Sequence, residues 1–169
     1  MKTSRSGVDI MATKFSECLE QGTKGETILD NFFRNSYHIR PATQEEQKRG
    51  IDRIFKHKGK LYNLAIEYKT DSRAADTGNA CLEVAKNLNP YKQGWALTCE
   101  ADYLIYYVPG IRKAFVIQPE VLRIHINSWL IAYKLRIVKS EGIYQNYQTQ
   151  CLIVPLWELE NIAVRVVKV

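Results

Sequence analysis

Apolar positions recur along this chain at two spacings, and each spacing predicts an element. Over residues 12–35 they fall three and four apart: Phe15, Cys18, Leu19, Gly22, Leu29, Phe32 and Phe33 share one broad face of a helix. Gly22 and Gly25 weaken that pattern and allow a break into two helices. Residues 40–49 are polar and read as a loop. Period-two alternation then predicts strands over 51–56 and 61–69, joined by a turn at Lys58-Gly59-Lys60.

Further along, 71–79 and 87–94 read as loops and 80–84 as a short strand. Residues 101–108 (ADYLIYYV) are almost wholly apolar, as befits a strand buried on both faces. Pro109-Gly110 turns the chain into a strand at 113–117. Pro119 opens a helix to about Ala132, proline being tolerated in a first turn. Strands are expected at 134–139, 150–154 and 162–167. Strands interleaved with helices give a mixed α/β domain. Residues 1–11 are expected to be a loose lead-in and 12–169 a single domain, with a core of about 12–132 and a β extension over 133–169.

Composition narrows the function classes. A chain of 169 residues, 46% hydrophobic and 25% charged, can bury a core and is not globally disordered. No run approaches the roughly 18 apolar residues of a membrane span, and the first residues lack a signal-peptide core. A non-membrane, cytoplasmic protein is the expectation. The net charge of +6 favours a polyanionic partner without choosing between nucleic acid and other polyanions. Cys18, Cys81, Cys99 and Cys151 form no C-x-x-C pair and have no histidine at metal-ligand spacing, so they read as buried free thiols.

The second hairpin strand carries the candidate chemistry. Alternation puts Leu64, Ile66 and Tyr68 on one face and Ala65, Glu67 and Lys69 on the other. If a helix buries the apolar face, Glu67 and Lys69 project side by side. A turn near Gly59 brings Asp52, on the partner strand, alongside them. Two carboxylates can hold Mg²⁺, or Mn²⁺ in its place, while leaving water and phosphate oxygens in its shell. The metal lowers the pKa of a bound water, and a lysine can orient that water and offset developing charge. The grouping suits phosphodiester hydrolysis.

Ile51-Asp52 followed by Glu67-Tyr68-Lys69 resembles the signature of the PD-(D/E)XK, or restriction-endonuclease-like, nucleases over roughly residues 25–116. Ile51 stands where proline names the motif, a position that varies freely in that family. The resemblance implies a central mixed sheet flanked by helices, Mg²⁺-dependent cleavage of double-stranded DNA, and a homodimer or homotetramer. Thr77-Gly78-Asn79, Glu83 and Ala101-Asp102-Tyr103 look similar to phage, mobile-element and intron-encoded homing members. Such members often carry a glutamate on the first helix. Glu26 lies about 20° from Phe15 on the helical wheel, within the apolar stripe, where a metal or Lys69 would be its partner. A local reading competes: Thr23 to Glu26 also spells a capping box for a helix starting at Thr23. Glu83 reads either as a contact of the metal site or as a solvated strand-end residue, and Asp102 as a turn or cap residue.

Arg49, Arg53, Lys56, Lys58 and Arg73 crowd the same stretch and are candidate phosphate contacts. For the lysines, a solvated hairpin tip is the rival reading. Tyr144, Gln145, Asn146 and Tyr147 would either read base edges or pack a hairpin, and Trp129 and Trp157 read as core or subunit contacts. The expectation is therefore a Mg²⁺-dependent DNA endonuclease of homing or restriction type, with catalytic residues Asp52, Glu67, Lys69 and Glu26 and metal ligands Asp52 and Glu67. The alternatives are a Holliday-junction resolvase and a non-catalytic nucleic-acid-binding protein.

Overall fold

Two strands within residues 53–70, with side chains alternating between two covered faces, build the part of the sheet on which the candidate residues sit. A computed structural model of the chain describes residues 11–141 and 146–169. In chain order its strands and helices are β1 (Met11–Lys14), α1 (Phe15–Phe33), β2 (Tyr37–Pro41), α2 (Gln44–Lys48), β3 (Arg53–His57), β4 (Asn63–Thr70), α3 (Ala74–Thr77), β5 (Asn79–Lys86) and β6 (Asn89–Gln93). There follow α4 (Trp95–Thr98), β7 (Tyr103–Val108), β8 (Lys113–Ile117), α5 (Pro119–Ala132), β9 (Leu135–Glu141), β10 (Asn146–Pro155), α6 (Leu156–Ile162) and β11 (Arg165–Lys168). A single 3₁₀ turn, Pro109–Ile111, separates β7 from β8.

Two sheets result. The first is mixed, six-stranded and ordered β11-β8-β7-β4-β3-β2, with β4 and β7 parallel and the other neighbours antiparallel. The second has five strands, ordered β1-β9-β10-β5-β6. The chain is thus an α/β protein with a central mixed sheet flanked by helices. Of the C-terminal strands, β9 and β10 complete the second sheet, while β11 returns to the edge of the first.

Each face of the mixed sheet buries a different cluster. Ile66, Tyr68, Ile105 and Tyr107 point one way, onto Leu29 of α1. Leu104, Tyr106, Val108, Phe115 and Ile117 point the other way, onto Ala80, Leu82, Leu152 and Val154 of the second sheet and onto α5 and α6. Full burial of a Leu or Ile side chain is worth about 1.5–3 kcal/mol, so these two clusters carry the fold.

Several elements differ from expectation, each for a physical reason. α1 is one unbroken helix, because its apolar side, centred on Gly25, Leu29 and Phe33, is held down by the sheet; Leu19 and Phe32 face out. Thr23 is mid-helix, its hydroxyl bonded to the Leu19 carbonyl, so no cap exists there. The capping box belongs instead to Thr43 and Glu46, starting α2 inside the stretch 40–49 that reads as loop. β2 starts before that stretch and runs into its first two residues, and β6 lies within 87–94. The strand expected over 162–167 begins later, at Arg165, because Ile162 closes α6. The helix Pro119–Ala132 and the strand Lys113–Ile117 agree with the pattern. Trp129 is buried, whereas Trp157 is exposed and is not a core residue. Of the polar and aromatic turn expected to read base edges, Tyr144 and Gln145 lie outside the described residues, as do the side chains of Asn146 and Tyr147.

A glycine is required where α1 meets β4. A Cβ on Gly25 would sit 2.0 Å from Thr70 Oγ1 and 2.9 Å from its Cγ2, whereas one on Gly22 would meet nothing within 4 Å. Gly25→Ala should therefore cost about 1–3 kcal/mol by overpacking and lower the melting temperature by several degrees. Gly22→Ala, which gains helix propensity at no steric cost, should leave it unchanged or raise it. Thermal unfolding of the two variants side by side checks the pair.

Candidate active site

Asp52 is fixed by the backbone of β4. Its N–H donates to the Ile66 carbonyl (2.8 Å) and its own carboxylate accepts the Tyr68 N–H (2.8 Å). The strand pairing Arg53↔Ile66, continued by one residue, sets Asp52 opposite Glu67. Asp102 performs the matching task on the far side of β4: its N–H donates to the Ala65 carbonyl and its carboxylate accepts the Ala65 N–H (2.7 Å). Asp102 is thus a structural residue.

Glu67 and Lys69 share the face of β4 that points away from α1, in register with Leu104 and Tyr106 of β7. Glu67 is 4% exposed, and Lys69, part-buried, donates from Nζ to Glu67 Oε1. The aspartate, glutamate and lysine therefore converge. Burial pushes the Glu67 carboxyl up, Lys69 opposes that shift and Asp52 reinforces it; the balance raises Glu67 to about 7. For Lys69, burial works against the charged form, but Glu67, with Asp52 adding to it, outweighs burial and holds the ammonium above its ordinary value.

Lys69 also lines a cleft of about 760 Å³ between the N-terminal half of α1, the segment Thr70–Arg73 and the outer face of the second sheet. Its Nζ stands 5.5 Å from the centroid of the Trp95 ring. Across the cleft is Glu83 of β5. Its carboxyl is raised mainly by burial, against the pull of Lys86, Lys69 and the Trp95 N–H. Gly94 makes that approach possible, since a Cβ there would lie 2.2 Å from the Glu83 carbonyl oxygen. Glu83 is therefore a part-buried wall of the cleft and not a solvated strand end. Sequence spacing could not show this, because β5 belongs to a different sheet from β4.

Glu26 is placed elsewhere. It belongs to α1, on the Tyr68 side of the sheet, and pairs with Arg53 (2.8 Å) instead of Lys69 or a metal. Arg53 Nε also reaches both oxygens of Asp30 (3.1 Å), Tyr68 donates to Asp30, and the guanidinium lies 5.6 Å from the centroid of the Tyr68 ring. Arg53 is thus an internal strut between α1 and β3, not an outward phosphate contact. Among the other basic residues, Lys58 donates to the Arg34 carbonyl just beyond the end of α1, and Arg49 pairs with Glu100 on the surface. Lys56 is exposed on the Asp52 face of β3, and Arg73 is exposed at the rim of the cleft.

The donor set available to a cation is two carboxylates. Asp52 spends one oxygen on Tyr68, and Glu67 spends one on Lys69. Among the described residues, no group of three or more His, Cys, Asp or Glu side chains is arranged to hold a metal ion. Two carboxylates still fit Mg²⁺, which keeps several waters and takes few protein ligands. They do not fit a metal that needs a closed protein cage.

Two outcomes follow. Between the ordinary carboxyl range and about pH 7, native Glu67 keeps a proton that the unfolded chain has released, so stability declines as pH rises through that window. In metal-free buffer, the melting temperature of Glu67→Gln relative to wild type should therefore climb from about pH 5 to about pH 7 and then level off. Arg53→Ala should cost about 2 kcal/mol of stability through lost charge-assisted hydrogen bonds, while the salt dependence of DNA binding keeps its wild-type slope. Denaturant melts and binding isotherms at several salt concentrations read both effects.

Compared with protein-family models, with curated proteins and with solved structures, the chain matches none of them, so the reading of this cluster stands on its own geometry and chemistry.

Proposed function

We propose that the chain is a metal-dependent DNA endonuclease whose reacting centre is Asp52, Glu67 and Lys69. The observation that carries the reading is the meeting of two carboxylates and an ammonium at one strand end, where the ammonium of Lys69 reaches an open cleft. Asp52 and Glu67 would hold Mg²⁺, which supplies Lewis acidity toward a phosphate oxygen and an acidified water.

The chain's own groups do the rest. The Tyr68 N–H orients Asp52, leaving its second carboxylate oxygen for a cation. Glu67, raised to about 7 in the cation-free protein, would give up its proton on holding a cation, so cation affinity should rise with pH. Lys69 already lines the cleft, where its ammonium would stabilise charge building on a phosphate. Lys56 and Arg73 are exposed on either side of the cluster and would neutralise backbone phosphates; Arg49 would do so on leaving Glu100.

Double-stranded DNA is the proposed substrate, and site-specific cleavage of homing or restriction type the proposed role. One such cluster per chain cuts one strand, so a double-strand break calls for a homodimer or a larger assembly. No helix among the described residues is long and apolar enough to cross a membrane.

Asp52→Asn and Lys69→Ala should each lower cleavage by at least about 100-fold, the cost of losing one transition-state contact, with melting temperature and DNA affinity close to wild type. The assay is gel cleavage of plasmid, linear duplex and four-way junction with Mg²⁺. Wild-type rates in either variant would refute the assignment. Preferential cutting of the junction would make the protein a resolvase, and binding without cutting would make the carboxylates structural.

A further inference from the structure

Two of the free thiols face the cleft together. Cys81 lies on β5 and Cys151 on β10, the two central strands of the second sheet. Cys81 is opposite Ile153, and Cys151 is opposite Glu83. The cysteines are therefore diagonal neighbours on the same face of the sheet, within mutual reach. That face is the cleft wall: Cys81, Glu83, Thr149, Cys151 and Ile153 all line it. The Thr149 hydroxyl is 3.7 Å from the Cys151 sulfur, and the two thiols are near enough for each to shift the other's pKa.

Cys81 is half-buried and Cys151 is buried, so a small reagent reaches the pair from the cleft that both line. Cys99 contrasts with both: it is buried against the Gly50 carbonyl and does not line the cleft.

We propose that Cys81 and Cys151 form a redox-reactive dithiol, which a small peroxide entering the cleft converts to a disulfide. The proposal stands apart from the nuclease reading. One of the two sulfurs attacks one peroxide oxygen, the O–O bond breaks, and the displaced hydroxide leaves as water with the thiol proton. The other sulfur then attacks the resulting sulfenic sulfur, forming the S–S bond and expelling a second water. Two thiols lose two hydrogens and two electrons, and one peroxide becomes two waters. Diagonal positions sit farther apart than an unstrained bridge prefers, so β5 and β10 must shift to close it. Strain of that kind makes the bridge easy to reduce.

The test treats the native full chain with hydrogen peroxide, quenches, denatures, alkylates and maps the peptides. The expected result is one intramolecular link between the Cys81 and Cys151 peptides, alkylated Cys99, and full reversal by dithiothreitol. Cys151→Ser should leave Cys81 alkylated. A second measurement needs no variant: one equivalent of phenylarsine oxide, which bridges close thiol pairs, should protect Cys81 and Cys151 together from iodoacetamide. Separate alkylation of the two after peroxide, a link to another cysteine or another chain, or independent labelling in the presence of the arsenical would each overturn the proposal.

Discussion

The backbone of β4 is held from both sides by carboxylates, and the rest of the arrangement depends on that grip. Asp52 accepts the Tyr68 N–H on the β3 side, and Asp102 accepts the Ala65 N–H on the β7 side. Both aspartates sit just before the strands they introduce, so each extends a ladder by one rung with a side chain in place of a carbonyl. With β4 clamped, its period of two decides everything that projects from it. Tyr68 goes to α1, while Glu67 is buried on the other face and Lys69, beside it, reaches the cleft.

The two faces solve opposite electrostatic problems. On the α1 side, one guanidinium serves Asp30 and Glu26 and lies against the Tyr68 ring, so the charges cancel within a rigid contact between helix and sheet. On the cleft side, two carboxylates share one ammonium, leaving the group short of positive charge and Glu67 near neutrality in its proton affinity. The first face holds the sheet together, and the second presents Lys69 to the cleft.

Much of this was legible from residue order. The alternation over 61–69 assigns Glu67 and Lys69 to one side and Tyr68 to the other, and a turn near Gly59 is enough to bring Asp52 back to them. The helix Pro119–Ala132 follows from its leading proline and its apolar repeat. Glu26 was misread because burial on a helix face does not say which partner waits there; Arg53, one residue from Asp52 and on the opposite face, took it. Thr23-Glu26 and Thr43-Glu46 spell the same capping pattern. Only the second begins a helix, because α1 already runs through the first. Glu83 and the thiol pair needed the second sheet, whose strands come from distant parts of the chain.

The crossover between the parallel neighbours β4 and β7 contains β5 and β6, so the first half of the second sheet is made inside a connection of the first. β5 then waits for β10, which emerges some sixty residues later in synthesis. Until then, Leu82 and Val84 on a long strand edge have no sheet partner on that side, a state prone to wrong pairing. The nascent chain therefore carries an aggregation hazard from midway through translation, and the cleft wall is closed only when β10 arrives.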